Sequence, residues 1–250
     1  EVWHLRLQGG TLHAEPLRPL PRPVVFAAAA VAGETLYLVG GQSIPGAPSA
    51  GRQCWALRLA GDPGLRVWRR MADLPGDGGI LMAAGSDGHS VFVFGGLAIS
   101  PGSPPRPLTD AYRFDPARNR WSLLAPLPAP RVAAATPVHR LADGSFWVAG
   151  GYDSVFQGPL REHPGFSRQT FCYDPAEDRW RPGPVLPSPR RQPPEVSGPE
   201  PVIAAATSLA AAKATLSRHE ARTRLLDVLG LMSLPLGGRW AFTCHAAGWP

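Results

Sequence analysis

Lysine is almost missing from this sequence. Lys213 is the only one, so nearly all of the positive side of the +6 net charge is arginine. Those arginines are scattered singly, with no basic run interleaved with aromatics. That argues against a nucleic-acid surface, which needs a clustered basic stripe. Charged residues of both signs reach only 18%. Cysteine is scarce as well. Cys54, Cys172 and Cys244 show neither a Cys-x-x-Cys pair nor any metal-ligand spacing, so free or buried thiols are expected and no metal site. No run of 18 apolar residues exists, so no membrane-spanning helix is expected. The chain opens on Glu1 with no signal-peptide pattern. Tyrosine is rare, and three of the four (Tyr37, Tyr112, Tyr152, Tyr173) fall on repeat positions. A copper-radical oxidase site, which needs free Tyr and His ligands, is therefore not expected.

What the sequence does have is glycine (28), proline (30) and 44% apolar residues, enough apolar surface to build a core rather than stay disordered. Its glycines also recur. Gly40-Gly41, Gly95-Gly96 and Gly150-Gly151 are spaced 55 residues apart. Each pair closes a short β-branched or aromatic run, Thr35–Val39, Ser90–Phe94 and Ser145–Ala149, of the kind buried strands need. A second marker follows each pair: Trp55-Ala56-Leu57, Tyr112-Arg113-Phe114-Asp115-Pro116 and Phe171-Cys172-Tyr173-Asp174-Pro175. The alternation is that of a half-buried strand, and Asp-Pro closes two of the three with a turn. The third marker is Trp68, Trp121 and Trp180, each six residues before a Leu-Pro step. The N-terminus keeps the register, with Trp3 and Leu5 standing for Trp55 and Leu57, and Ala14 where a Trp belongs.

Three markers recurring in phase resemble the kelch repeat, whose period is about 50 residues and whose unit is a four-stranded propeller blade. The expected fold is all-β: a partial kelch β-propeller of three to four blades over residues 1–190, a Pro/Gly-rich linker over 191–200, and a helical tail over 201–250. The Ala- and Leu-rich stretch 201–231 carries the helical reading, with Ser217…Glu220 as a capping box. A fourth Gly pair belongs near 208–212, where the sequence reads Ser208-Leu209-Ala210-Ala211-Ala212. Three explanations stand open: a fragment, a tail that covers an open blade edge, or a change of reading frame near residue 190. An incomplete or altered gene product is the expectation.

One segment narrows the family. His163-Pro164-Gly165-Phe166-Ser167-Arg168, with Leu74-Pro75-Gly76, Val93–Gly96 and Leu108–Arg113, resembles bacterial kelch proteins of the sialic acid mutarotase (N-acetylneuraminate epimerase) family. The resemblance implies a cofactor-independent isomerase acting on an acidic sugar, in the periplasm or secreted. Opening the ring of such a sugar moves one proton off the anomeric hydroxyl and delivers another to the ring oxygen. The family's catalytic segment, Gly-Glu-x-x-Pro-Gly-x-Arg, has no counterpart here, so binding without turnover is an expected outcome. A non-catalytic module that binds a protein through its loops is the alternative.

Strand alternation predicts that the loops after the Gly pairs and the connections after the Leu-Pro steps open on one face. Arg22, Arg131 and Arg190 follow Leu-Pro steps, and Gly79 takes that place in one blade. Arg168 lies in a loop of the first kind. These four arginines are the candidate ligands for a sugar carboxylate, and Glu162 and His163 the candidate acid/base pair.

Overall fold

The computed structural model describes residues 2–8, 11–62, 66–155, 167–186, 202–205, 232–236 and 239–243. Within them the chain forms β1 (Val2–Gln8), β2 (Thr11–Leu17), β3 (Ala28–Ala32), β4 (Thr35–Val39), β5 (Cys54–Arg58) and β6 (Trp68–Met71). Next come β7 (Ala83–Ser86), β8 (Val91–Phe94), β9 (Leu97–Ala98), β10 (Arg106–Pro107), β11 (Ala111–Asp115) and β12 (Arg120–Leu123). The last repeat holds β13 (Val132–Ala134), β14 (His139–Arg140), β15 (Phe146–Val148), β16 (Gly150–Tyr152), β17 (Phe171–Asp174) and β18 (Arg179–Pro182). The tail contributes β19 (Val202–Ala205), β20 (Met232–Leu236) and β21 (Arg239–Thr243).

Three four-stranded antiparallel sheets follow the repeat: β3-β4-β5-β6, β7-β8-β11-β12 and β14-β15-β17-β18. They are blades 2, 3 and 4. Blade 1 is β2-β1-β19-β21-β20, built from both ends of the chain. The register expected at the N-terminus holds, since Leu5 pairs with Ala14 as Leu57 pairs with Trp68. Within the stretch read as helical, Val202–Ala205 is a strand that supplies the hydrogen-bonding edge β1 would otherwise leave open. β20 and β21 are strands as well, and 206–231 lies outside the described residues. Val202 and Ile203 are β-branched, which suits them to this place.

The cores lie between blades. One joins Tyr37, Val39 and Ala56 of blade 2 to Val91, Val93 and Phe114 of blade 3. The next joins Phe92 and Phe94 of blade 3 to Phe146, Val148 and Tyr173 of blade 4. Period-two alternation produces this, because inner strands such as β4 and β8 bury both of their faces against different neighbours.

The tryptophan marker has a polar role too. Trp121 Nε1 donates to Ala72 O at 2.8 Å, and Asn119 Oδ1 accepts from Ala72 N–H at 2.8 Å. Trp180 and Asp178 grip Ala125 of the preceding blade in the same two-point way, both at 2.8 Å. Trp68 makes the first of these bonds, to Arg18 O at 2.9 Å. Asn119 (φ 49°) and Asp178 (φ 47°) hold a left-handed turn that Asn and Asp tolerate better than other side chains. Each grip thus saturates both backbone groups of one residue at a blade junction. Trp121→Phe keeps the ring and removes the donor, so it should lower stability by about 1 kcal/mol in a urea titration. A change within error would show that the bond adds nothing.

Candidate functional site

The two kinds of loop do meet on one face. Gly41 N–H donates to Gly79 O at 2.9 Å, and Gly96 N–H donates to Arg131 O at 2.7 Å. The second glycine of these two pairs therefore ties its blade to the connection entering the next. Two residues further along the same connections, Leu81 N–H donates to Phe26 O (3.0 Å) and Ala133 N–H to Leu81 O (2.9 Å), a relay from blade to blade. Phe26, Leu81 and Ala133 all have positive φ, 59°, 54° and 53°. Non-glycine residues pay strain there, and the repeat of the same strain in three blades marks one structural device. Around it the surface is apolar: Ile80, Leu97 and Val132 are buried, and Phe26, Leu81 and Tyr152 pack partly buried against them.

Arg131 does not open onto this mouth. It is 1% exposed. Its guanidinium runs into the gap between blades 3 and 4, lying 4.7 Å over the Phe171 ring. Nη1 donates to Pro130 O at 2.8 Å and Nη2 to Gln169 Oε1 at 3.1 Å. Burial pulls its pKa below the ordinary arginine value, with the Asp153 charge acting the other way. Arg131 joins the blade-4 loop to the blade-3 connection.

Arg168 is exposed, and its Nε donates to Leu186 O at 2.7 Å. Arg52 makes the same bond to Leu74 O at 2.8 Å. The Arg52-Gln53 and Arg168-Gln169 pairs stand at one repeat position, which Thr109-Asp110 takes in blade 3. That recurring dipeptide is a sequence signal for a loop clasp at Arg52 and Arg168 that the reading of the repeat passed over. Arg22 is exposed. The bridges Val25–Gln42 and Ile80–Leu97, with the β13–β16 pair Val132–Tyr152, set the true register. They make Val24, Gly79 and Arg131 equivalent, so Arg22 lies two residues ahead of that position. Glu162, His163 and Arg190 lie outside the described residues. The same face also carries an ion pair between Arg106 and Asp77 at 2.9 Å, both ends exposed.

Among the described residues no group of three or more His, Cys, Asp or Glu side chains is placed to hold a metal ion. No helix of the described residues is long and apolar enough to cross a membrane. Cys54 and Cys172 are buried free thiols. Burial, then the Asp73 charge, push the Cys54 thiol from an ordinary value of 9.0 up to about 12. The folded form therefore keeps a proton that the unfolded chain releases above pH 9. This contribution is complete below pH 9 and fades as pH climbs toward 12. Native protein at pH 8 should leave Cys54 unmodified by a thiol reagent, and urea should expose it. Modification at the unfolded rate under native conditions would contradict the burial.

Residues 81–128 match the family model for the Kelch motif. The chain is 27% identical over 169 residues to N-acetylneuraminate epimerase of Yersinia enterocolitica, covering 57% of this chain and 42% of that protein. It is 27% identical over 193 residues to Beta-scruin of Limulus polyphemus, covering 76% of this chain and 19% of that one. The solved structure of YjhT superposes with a TM-score of 0.56 at 19% identity, over 68% of this chain and 53% of that one. The chain spans less than half the length of these two curated relatives. Sheets stacked through shared cores, with Gly-Gly and Trp junctions in phase, define a β-propeller of kelch repeats. The chain is a kelch-repeat protein, related at low identity to the N-acetylneuraminate epimerases.

Proposed function

We propose that this protein binds an acidic sugar of the sialic acid type on the face formed by its two kinds of loop, and interconverts its anomers without a cofactor. The relationship to the N-acetylneuraminate epimerases carries the reading. The geometry that supports it is a mouth with an apolar, partly aromatic floor, Phe26, Leu81 and Tyr152, beside exposed arginines. A pyranose offers apolar C–H faces to such a floor, and its carboxylate takes a charge-assisted bond from a guanidinium. Arg168 keeps its Nε on Leu186, which fixes the guanidinium plane, and Glu162 and His163 precede it in the sequence by six and five residues. Those two are the proposed proton carriers: one removes the anomeric proton while the other protonates the ring oxygen. Arg22 and Arg190 are proposed as outer contacts to the carboxylate. Arg131, being buried, supports this site through the loop and does not touch the sugar.

Anomer exchange of N-acetylneuraminate followed by NMR tests the activity. Exchange above the buffer rate is expected, with Arg168→Gln weakening sugar binding about tenfold. Exchange at the buffer rate, with no sugar binding, would overturn the proposal. A second reading is a non-catalytic module that binds a protein. The kelch fold itself supports it, since loops on a stacked-blade scaffold suit a protein ligand as well as a sugar. A stoichiometric protein partner, with no response to the sugar, would decide for that reading.

A further inference from the structure

The 2/3 and 3/4 blade junctions fill one gap in different ways. Tyr112 pairs with Leu123 as Phe171 pairs with Pro182, so the two rings are equivalent. At the later junction the Arg131 guanidinium lies over Phe171 and donates to Gln169. At the earlier one the three positions read Gly79, Tyr112 and Asp110. Glycine sends no side chain into the gap, the amide has become a carboxylate, and the ring has gained a hydroxyl. Met82 takes up apolar room there, its Sδ 2.8 Å from where a Gly79 Cβ would stand, but it brings no charge. Cations come instead from the loops. Arg52 spends its Nε on Leu74 O at 2.8 Å, which fixes its guanidinium plane, and Arg106 pairs with Asp77 at 2.9 Å. Arg52, Arg106 and Asp77 are exposed, and Asp110 is half-buried.

Tyr112 is only 8% exposed, yet its hydroxyl takes part in none of the hydrogen bonds formed among the described residues. The Tyr173 hydroxyl, by contrast, donates to Asp178 at 2.7 Å. Nor is the Tyr112 hydroxyl shut in. The buried unpaired side-chain atoms are Arg66 Nε, Arg131 Nε and Trp147 Nε1, so this hydroxyl reaches solvent. It lies beneath exposed Gly76, 3.0 Å from where a Cβ would stand. The other Leu-Pro steps are followed by Arg22, Ala129 and Ser188, and a side chain at Gly76 would cover the hydroxyl. Burial, then the Asp110 and Asp77 charges, raise its pKa against Arg106 and Arg52, so it keeps its proton and stays a donor. A nearly buried ring thus presents an unpaired hydroxyl to the loop face, among two carboxylates and two guanidiniums. An unpaired polar group held so rigidly calls for a partner.

We propose that this junction binds a neutral, hydroxyl-rich ring, such as a hexose unit, at a site apart from Arg168. The charges choose the ligand. Two guanidiniums and two carboxylates cancel, so the site exerts no net pull on an anion, and Asp77 and Asp110 repel a carboxylate at short range. Neighbouring ring hydroxyls each donate and accept. A pair of them can accept from an arginine and donate to an aspartate, while Tyr112 donates to a third oxygen. The walls are already ordered: Ala50 N–H donates to Ile99 O and Leu108 N–H to Gly96 O, both at 2.8 Å. A ligand therefore meets loops that need little further fixing. These residues are not those of the acidic-sugar site, so either site can exist without the other.

The test titrates the full chain with the methyl glycosides of glucose, galactose and mannose, read by NMR at the Gly76, Asp77 and Gly78 amides. Saturable shifts with at least one glycoside are expected, with an affinity on the order of 1 mM. Tyr112→Phe should weaken that binding about fivefold. It should also leave the urea midpoint where it is, because the hydroxyl bonds to nothing in the chain. Asp77→Asn should weaken binding about tenfold. Amides unmoved by all three glycosides would overturn the site. A lowered urea midpoint with undiminished binding in Tyr112→Phe would make the hydroxyl structural and overturn its role. Shifts of these amides by N-acetylneuraminate alone would overturn the neutral class of ligand.

Discussion

Gly95→Ala should cost at least about 3 kcal/mol of folding stability, a large share of the roughly 5–15 kcal/mol that holds a domain folded. A methyl group there would stand 2.3 Å from the carbonyl oxygen of Arg131. That oxygen belongs to the backbone of the next blade's connection and is itself fixed by Gly96 N–H at 2.7 Å. It cannot swing aside as a flexible side chain would. The φ of 61° adds left-handed strain that only glycine escapes. Gly40 stands in the same relation to Gly79 O, at 2.4 Å, so the Gly pairs are close-approach points between blades. Gly102 is the control. Its φ is 74°, but nothing lies within 4 Å of the added methyl, so Gly102→Ala should cost only about 1 kcal/mol. Urea unfolding of the two variants checks this. Equal losses would mean that backbone strain alone, without the inter-blade clash, explains the glycines.

Arg131 should give the second large effect. Truncation to alanine empties a fully buried site, removes the cation from Phe171 and leaves Gln169 without its donor. A loss of about 3 kcal/mol is expected. Arg131→Met keeps most of the volume and carries no charge into the interior, so it should recover all but about 1 kcal/mol. The contrast separates two roles. If Arg131 builds the junction, the Met variant folds and binds sugar as the parent does. If it held a carboxylate, the Met variant would fold but lose the sugar.

Much of the fold was readable because its devices are local and periodic. Gly pairs at the ends of apolar runs locate the second strand of each blade. Asp115 and Asp174 close their turns by accepting backbone N–H bonds from Ala117 and Ala176 at 2.9 Å, which the Asp-Pro step announces. The tryptophans were readable as markers, yet their function was not. Trp121 grips Ala72, which lies a full repeat earlier, and a non-local bond leaves no local pattern. The Arg-bearing face was half legible. Alternation placed the loops on the same side, but position alone does not give side-chain direction, and Arg131 turns inward between blades. Distance from the Leu-Pro step misplaced Arg22, because the register is fixed by Val25 pairing with Gln42 and not by proline spacing. At the start of the tail the helical reading missed β19, because Ala- and Leu-rich composition favours helix locally, while β19 takes its strand form from the free edge of β1; residues 206–231 lie outside the described residues.

Blades stacked side by side are gripped by indole donors, and exchange of the tryptophan indole protons tests that most directly. With resonances assigned from single Trp→Phe variants, Trp68, Trp121 and Trp180 should all be strongly protected in the native protein. Removing the grip residue Asn119 should loosen Trp121 while Trp180 keeps its protection. Indole protons of all three exchanging at the rate of a free side chain would contradict the stacked-blade architecture itself.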